Sequence, residues 1–552
     1  MADQQTLTRT TGADEHGPAV LDDAHIGDIR GALGTIRMEE AGRRRGWKAR
    51  LLALLAIMGP GLIVMVGDND AGGVSTYSQA GQNYGTSLLW TLVLLIPVLI
   101  VNQEMVVRLG AVTGVGHARL ILERFGRFWG FFSVGDLFLL NFLTIVTEFI
   151  GVSFAGSYFG VTPYVSVPLA AALLVAITVT GNFRRWERAM FVFLAGSLLV
   201  IPLGIMVHNG EGNVLRGLVV PSIQGGVTSN AVLLIIAIVG TTVAPWQLFF
   251  QQSNVIDKRI TPRWMAYERA DTVIGAFVVV IGAAILMIVT AHAFAGTSEA
   301  GNFTDAGGVA AGLAHYISRG AGALYALVLL DASIVGASAV TLATSYAFGD
   351  IFGLRHSLHR GWRDAKAFYG SYTALVAVAA IIVIIPNAPL GVMTTAVQAL
   401  AGILLPSATV FLLLLCNDRA VLGPWLNKPW LNALATVIVG VLLELSAILV
   451  ITTVFPTLDV GKLVVILSVV LVSGLAGGGL AYLAGRRGRV GPEPPPEEFE
   501  TPKIEWRMPP LAMLDRPRWS RVRTLTMYTM VGYLVIAVVL LLVKAVELAT
   551  GH

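Results

Sequence analysis

Cysteine is almost absent from this chain of 552 residues; Cys416 stands alone. A single thiol excludes an internal disulfide and a cysteine-based zinc site. Charge is scarce too. Only 13% of residues are charged, against about 25% in a soluble domain. That scarcity excludes a water-facing surface over the whole chain, and the mean hydropathy of +0.73 agrees. An early apolar leader is also missing. The first 45 residues ("MADQQTLTRTTGADEHGPAVLDD" and onward) are polar and charged, so we expect a mobile cytoplasmic tail over 1–45 and no cleavable signal peptide. No nucleophile–base constellation or phosphate loop is visible. The chain is therefore not read as an enzyme, and no cofactor is expected.

What the chain does have is apolar runs of about 18 residues or more, each long enough to cross a bilayer core of about 30 Å as a helix. Thirteen candidate spans lie near 50–81, 87–109, 130–158, 163–180, 189–207, 230–253, 270–295, 321–349, 367–386, 391–416, 430–455, 460–485 and 524–547. The fold class is an all-α polytopic membrane protein. Placing the N-terminus in the cytoplasm puts the basic clusters on that side. Arg43–Arg45 precede the first span, and Arg184, Arg185 and Arg188 follow the fourth. Lys258 and Arg259 follow the sixth, and Arg355, Arg360 and Arg363 follow the eighth. The alternate loops are nearly bare of Lys and Arg, as the positive-inside rule requires. The formal charge of +4 is explained by these loops and is not a nucleic-acid signal. The expected setting is the cell (inner) membrane, with the lipid bilayer as a partner and the chain as a monomer.

Two spans are interrupted. The first breaks at "GDNDAGG", where Asp68 and Asp70 sit inside an apolar run. The sixth breaks at "GTTVAPWQ", where Pro245 removes a backbone donor. The two breaks lie five spans apart and open the two halves of a 5+5 arrangement. Such paired breaks point to a transporter built from inverted repeats, with its site near the midplane. Unwound backbone is tolerated in a membrane only where it is buried or lines a cavity. The expected division is a transport core over 46–416, accessory helices over 417–485, a Pro- and Glu-rich linker over 486–523 and a last helix over 524–552.

Asp70 is the first candidate for chemistry. A carboxylate at mid-bilayer costs at least about 2.5–3.5 kcal/mol and is functional by default. The competing reading pairs it with Lys or Arg on a neighbouring helix, but basic residues are few at that depth. Freed carbonyls beside a carboxylate suit a cation.

The first span, "GPGLIVMVGDNDAGGVSTYSQAGQNYGTSLLW", resembles the first helix of NRAMP divalent-metal transporters, with their Gly-Pro-Gly start and Asp-Pro-Gly-Asn break. "RLGAVTG" (108–114), "GTTVAPWQLFFQQS" (240–253), "GASAVTLATSYAFGD" (336–350) and "QALAGILLP" (398–406) extend the likeness over roughly 50–455. The resemblance implies a LeuT-like 5+5 inverted repeat with additional C-terminal helices. It implies a divalent metal ion substrate held by Asp70, Ala71, Gly73, Val243, Ala244 and Gln398. Around that set stand Asp68, Glu148, Thr241, Thr242 and Trp246.

The departures from the family pattern carry more information than the matches. The motif's Pro and Asn are Ala71 and Gly73 here, so one oxygen ligand is gone. Ala244 stands at the family's coordinating Met, and Trp246 at its His. Glu148 matches a family glutamate, while the aspartate expected one turn earlier is Ile145. Gln398 matches a glutamine that closes the site. Methionine sulfur is a soft ligand that favours transition metals. Its loss, with the asparagine's, is expected to leave a roomier site lined by oxygen. Mg²⁺ is hard and usually keeps several waters, so it fits that site. The interrupted chain of titratable groups argues against proton coupling. These departures resemble the NRAMP-related magnesium transporter branch.

The resulting expectation is alternating-access transport of partly hydrated Mg²⁺, and also Mn²⁺, without proton coupling. The alternatives are a proton-coupled Mn²⁺/Fe²⁺ importer and an organic-cation carrier that uses Trp246 as a cation–π partner. A metal receptor that binds without transport is a further class. Asp68 reads as a second acid near the mouth or a solvated vestibule residue. Glu148 reads as functional or as a hydrogen-bonded remnant. Thr241 and Thr242 either lend oxygens to the ion's water shell or satisfy backbone. Asp331 reads as an outer-vestibule residue, Glu444 as a structural hydrogen-bonder, and His117, His208, His292 and His315 as surface or interfacial.

Overall fold

The computed structural model describes residues 21–39, 46–207, 214–386, 390–455, 457–487 and 501–515, with scattered positions between 524 and 539. The first expected span divides into α1 (Trp47–Ile57), α2 (Pro60–Gly67) and α3 (Ala71–Tyr84). Then follow α4 (Leu89–Thr113), α5 (His117–Phe125), α6 (Arg127–Tyr158), α7 (Pro163–Thr178), α8 (Phe183–Gly196), α9 (Val200–Val207) and α10 (Val214–Val219). The second half holds α11 (Ser229–Thr242), α12 (Pro245–Asp257), α13 (Met265–Phe294), α14 (Ala306–Tyr316), α15 (Arg319–Phe352), α16 (Lys366–Val383) and α17 (Leu390–Cys416). After α18 (Arg419–Leu422) come the accessory α19 (Pro429–Val454) and α20 (Val460–Arg487). The first twelve expected spans each have a helical counterpart. The thirteenth, at 524–547, lies outside the described residues save for scattered positions, as do 1–20, 40–45 and 488–500.

The breaks fall where the sequence places them, and each has a local cause. Asp70 caps α3: its backbone is extended, and its Oδ1 accepts from the Gly73 amide at 2.7 Å. A side-chain oxygen thus replaces a helical acceptor at an N-terminus. In the sixth span Ala244 is extended and Pro245 opens α12, where its missing N–H leaves no bond unmade. One bend was not foreseen. α1 and α2 meet at 52°, because Gly59 adopts φ 152° and Pro60 starts a new helix. The carboxylate of Asp271 on α13 receives the freed amides of Gly59 (3.0 Å) and Gly61 (2.8 Å).

Small residues let the third spans of the two halves close on the first break. A Cβ on Gly151 of α6 would strike Ser333 and Ala71. One on Gly336 of α15 would lie 2.7 Å from both Asp70 and Glu148. Outside the core, Ser468 of α20 donates to Glu444 of α19 at 2.5 Å, the structural bond expected of that acid.

The expected mobile tail is corrected for residues 21–39. Strands β1 (Ile29–Arg30) and β2 (Thr35–Ile36) form a short hairpin whose Ile29, Ala32 and Ile36 are buried. The Ala32 amide donates to Glu187, Arg259 Nε to the Ala24 carbonyl (3.0 Å), and Arg360 Nε to Asp22 (3.0 Å). Beneath the hairpin, Lys258 Nζ sits 2.5 Å from Glu187 and 2.8 Å from the Met58 carbonyl. The described end of the linker is likewise docked. The Met508 amide donates to the Val112 carbonyl at 3.2 Å, and Trp425 Nε1 to Lys503 O at 2.7 Å.

Candidate functional site

The two breaks meet. Gln247, in the first turn of α12, donates from Nε2 to Asp68 and to the Thr242 carbonyl (3.2 Å). Gln103 of α4 holds Gln247 from behind, donating to its Oε1 at 2.7 Å. Tyr77 of α3 and Thr242, the last residue of α11, share a hydroxyl–hydroxyl bond of 2.8 Å. Each break therefore sets a helix C-terminus, whose last carbonyls lack helical partners, beside a helix N-terminus.

Glu148 reaches in from α6. Its Oε2 accepts from the Ala71 amide at 3.1 Å, and its side chain contacts Asp70. Asp68, Asp70 and Glu148 are all buried, and no basic group among the described residues acts on any of them. Buried carboxyls without a counter-charge are costly, so the site asks for a cation. Several oxygens still lack a partner: Asp68 Oδ2, Glu148 Oε1 and Thr241 Oγ1. Gln398 Nε2 is also unpartnered, against Gly72. A half-turn of that amide would offer oxygen in place of nitrogen.

Most of the candidate residues are gathered, with some corrections. Asp68 is neither a mouth nor a vestibule residue; it is fully buried between the breaks. Glycine at 73 does not leave open space. A Cβ there would lie 2.6 Å from the Asp68 carbonyl and 3.1 Å from Thr241 Oγ1, so packing fills the room once assigned to water. Val243 and Ala244 form the buried turn between α11 and α12. Trp246 sets its ring against Gly67, at the end of α2, and Phe250. Thr241 points its hydroxyl at Gly73, whereas Thr242 is spent on Tyr77 and the Ile238 carbonyl. Among the described residues, no three His, Cys, Asp or Glu side chains converge to hold a metal by themselves. Backbone carbonyls, hydroxyls and amides must share in any coordination.

Outside the site, His117 is not a surface residue. It is buried, bonded to Gln252 at 2.8 Å and packed edge-on against Phe249. His315 is exposed and His292 half-buried, while His208 lies outside the described residues. Gln103, Gln247 and Tyr77 were missed in the sequence. Their only signal was polarity inside apolar runs, as in "PWQLFFQQS".

Paired broken helices around a buried, oxygen-lined centre are the architecture of a multi-span membrane transporter of the LeuT-like fold. The family model described as "Natural resistance-associated macrophage protein-like" matches residues 61–452, and the chain belongs to that family. It is similar to the "Divalent metal cation transporter MntH" of Bacillus subtilis (strain 168), with 25% identity over 75% of this chain and 95% of that one. The protein of the same name from Verminephrobacter eiseniae is 28% identical over 76% of this chain and 93% of its own. Among solved structures, the Eremococcus coleocola manganese transporter, in complex with an aromatic bis-isothiourea substituted compound, superposes with a TM-score of 0.59. The match has 19% identity and covers 79% of this chain and 96% of that one.

Proposed function

We propose that the chain moves Mg²⁺, and also Mn²⁺, across the cell membrane as a partly hydrated ion, by alternating access and without proton coupling, with its N-terminus in the cytoplasm. The divalent metal cation is the coarser part of the reading and agrees with the names of its relatives. The magnesium preference rests on one observation above all: the unpartnered acceptors facing the first break are carboxylate and hydroxyl oxygens, and Ala244 brings no sulfur to it. A hard cation takes oxygen ligands and keeps water, whereas a soft thioether would favour Mn²⁺ or Fe²⁺. Coupling is not required energetically. Two charges moving through about 100 mV, inside negative, gain about 4.6 kcal/mol, enough for a gradient of roughly a thousandfold.

The test uses purified protein in liposomes that hold a Mg²⁺ indicator and, in parallel, a pH dye. A Mg²⁺ gradient and an inside-negative potential are imposed, and Asp70→Ala is compared. Mg²⁺ influx without acidification, absent from the variant, is the expected result. Influx with matched acidification would overturn the uncoupled part and make Glu148 the first residue to mutate. Mn²⁺ influx with no Mg²⁺ influx would overturn the magnesium preference.

A further inference from the structure

A cavity of about 440 Å³ lies away from the ion site, between α6, α7, the α8–α9 bend and α15. Its walls are aliphatic and aromatic, including Val152, Leu173, Phe193 and Leu327. Asp331 is the one ionisable group among its lining residues. Ser197, in the turn that joins α8 to α9, donates to Asp331 Oδ2 at 2.8 Å, and no basic group among the described residues acts on this carboxyl. The hydroxyl of Ser166, also on the wall, is buried against Gly156 and has no hydrogen-bond partner among the described residues.

The placement of Asp331 corrects the expected vestibule role. It precedes Gly336, which abuts Asp70, by five residues of one helix. At a rise of about 1.5 Å per residue, the carboxyl lies on the order of 8 Å along α15 from the ion site. Its oxygens face the α8–α9 bend, at Gly196 and Ser197. The mouth of the cavity is formed by the exposed Leu169, Leu173 and Phe159. Exposed apolar residues on the flank of a membrane helix face lipid, so the cavity is reached from the bilayer.

We propose that this cleft binds an amphipathic organic cation, a protonated amine on an apolar aryl-alkyl body, that enters from the lipid. The volume lies in the range of small-molecule pockets, whose usual make-up is apolar walls with a few placed polar groups. A carboxyl at this depth is expensive without a counter-ion, and an ammonium supplies one. A lipid acyl chain fills the volume but leaves the carboxyl without a counter-charge. The site is independent of which ion the transporter carries.

The test uses the full-length protein in nanodiscs at pH 7, with tritiated 4-phenylbutylamine as the probe and its uncharged analogue 4-phenylbutan-1-ol as competitor. Empty nanodiscs report partition into lipid. The expected result is saturable binding above the empty discs, with the alcohol competing at least tenfold more weakly than unlabelled amine. Asp331→Asn weakens binding tenfold or more while its gel-filtration and thermal-unfolding profiles stay those of the parent. Leu173→Trp, which narrows the mouth and leaves the carboxyl intact, also removes binding and covers the case in which Asp331→Asn does not fold. Binding no greater than to empty discs, equal competition by amine and alcohol, or unchanged binding by either folded variant would overturn the proposal. Each would leave lipid tails as the occupant.

Discussion

The phenol of Tyr77 lies 2.8 Å from Thr242 Oγ1, and this bond ties the second half of one broken helix to the first half of the other. Thr242 also bonds the Ile238 carbonyl, at 2.6 Å. Removing the phenol therefore unlinks the halves without orphaning the threonine. Tyr77→Phe is expected to fold normally and to lose about 0.5–1.5 kcal/mol of stability. Its ion uptake should change more than its unfolding temperature does. Unchanged uptake in liposomes would mean that the link is not part of the working cycle.

Ala244→Met restores a soft ligand in the turn before Pro245. It is expected to raise Mn²⁺ uptake relative to Mg²⁺ by about tenfold or more, since thioether sulfur discriminates on softness. Competition between the two ions in the same liposomes measures it. An unchanged ratio would remove the chemical ground for the magnesium preference.

Gly73→Asn behaves differently, although it too restores a family residue. Its Cβ would press on the Asp68 carbonyl and on Thr241. Overpacking of this kind costs about 1–3 kcal/mol. The expected outcome is a lower unfolding temperature and slower uptake of both ions, with no gain for Mn²⁺.

Glu148 separates charge from scaffolding. Glu148→Gln keeps an acceptor for the Ala71 amide, whereas Glu148→Ala leaves that buried amide unpaired at about 1–3 kcal/mol. The glutamine variant is expected to stay folded and to carry Mg²⁺ with a flat pH profile between 6 and 8. The alanine variant should be destabilised. A pH dependence present in the parent and lost in the glutamine variant would reveal a proton route through this side chain.

The docked N-terminal hairpin should respond to acid. Burial raises the Asp22 carboxyl, but hydrogen bonds from Arg360 and the Ala24 amide outweigh it and hold the group below the usual carboxylate range. A carboxyl depressed in the folded state contributes stability above its unfolded value, near pH 3.9. It loses that contribution as the pH falls further. Protease nicking within 21–39 is therefore expected to stay slow at neutral pH and to rise only in strong acid. Arg360→Ala should make it fast at neutral pH.

Much of the fold was legible because hydropathy is a local property. A run such as "VLLIIAIVG" has no stable place except in a membrane helix, and Asp70 with Gly72 and Gly73 close behind it interrupts one visibly. The bend at Gly59 was not legible. A lone Gly-Pro within an apolar run looks like any helix start, and the carboxylate that receives the freed amides, Asp271, lies more than two hundred residues away. A separation of 179 residues likewise hid Gln247, which reads as one polar residue among several until Asp68 is placed beside it. Residues 21–39 looked like free tail because their few buried side chains are too sparse for a periodic signal. Gly73 misled for another reason. The absence of a side chain suggests space, yet here it lets backbone and a hydroxyl approach.

The hairpin's partners also fix the order in which the molecule can be completed. Asp22 leaves the ribosome early, while Arg360 lies 338 residues behind it. At about 5–20 residues per second, the segment waits on the order of half a minute for that partner. Glu187 and Arg259 emerge earlier, but the full set of contacts can form only after eight spans have been threaded. Closure of this small hairpin is therefore a late assembly event, and a chain stalled or misinserted before α15 would keep the segment exposed to quality-control proteases.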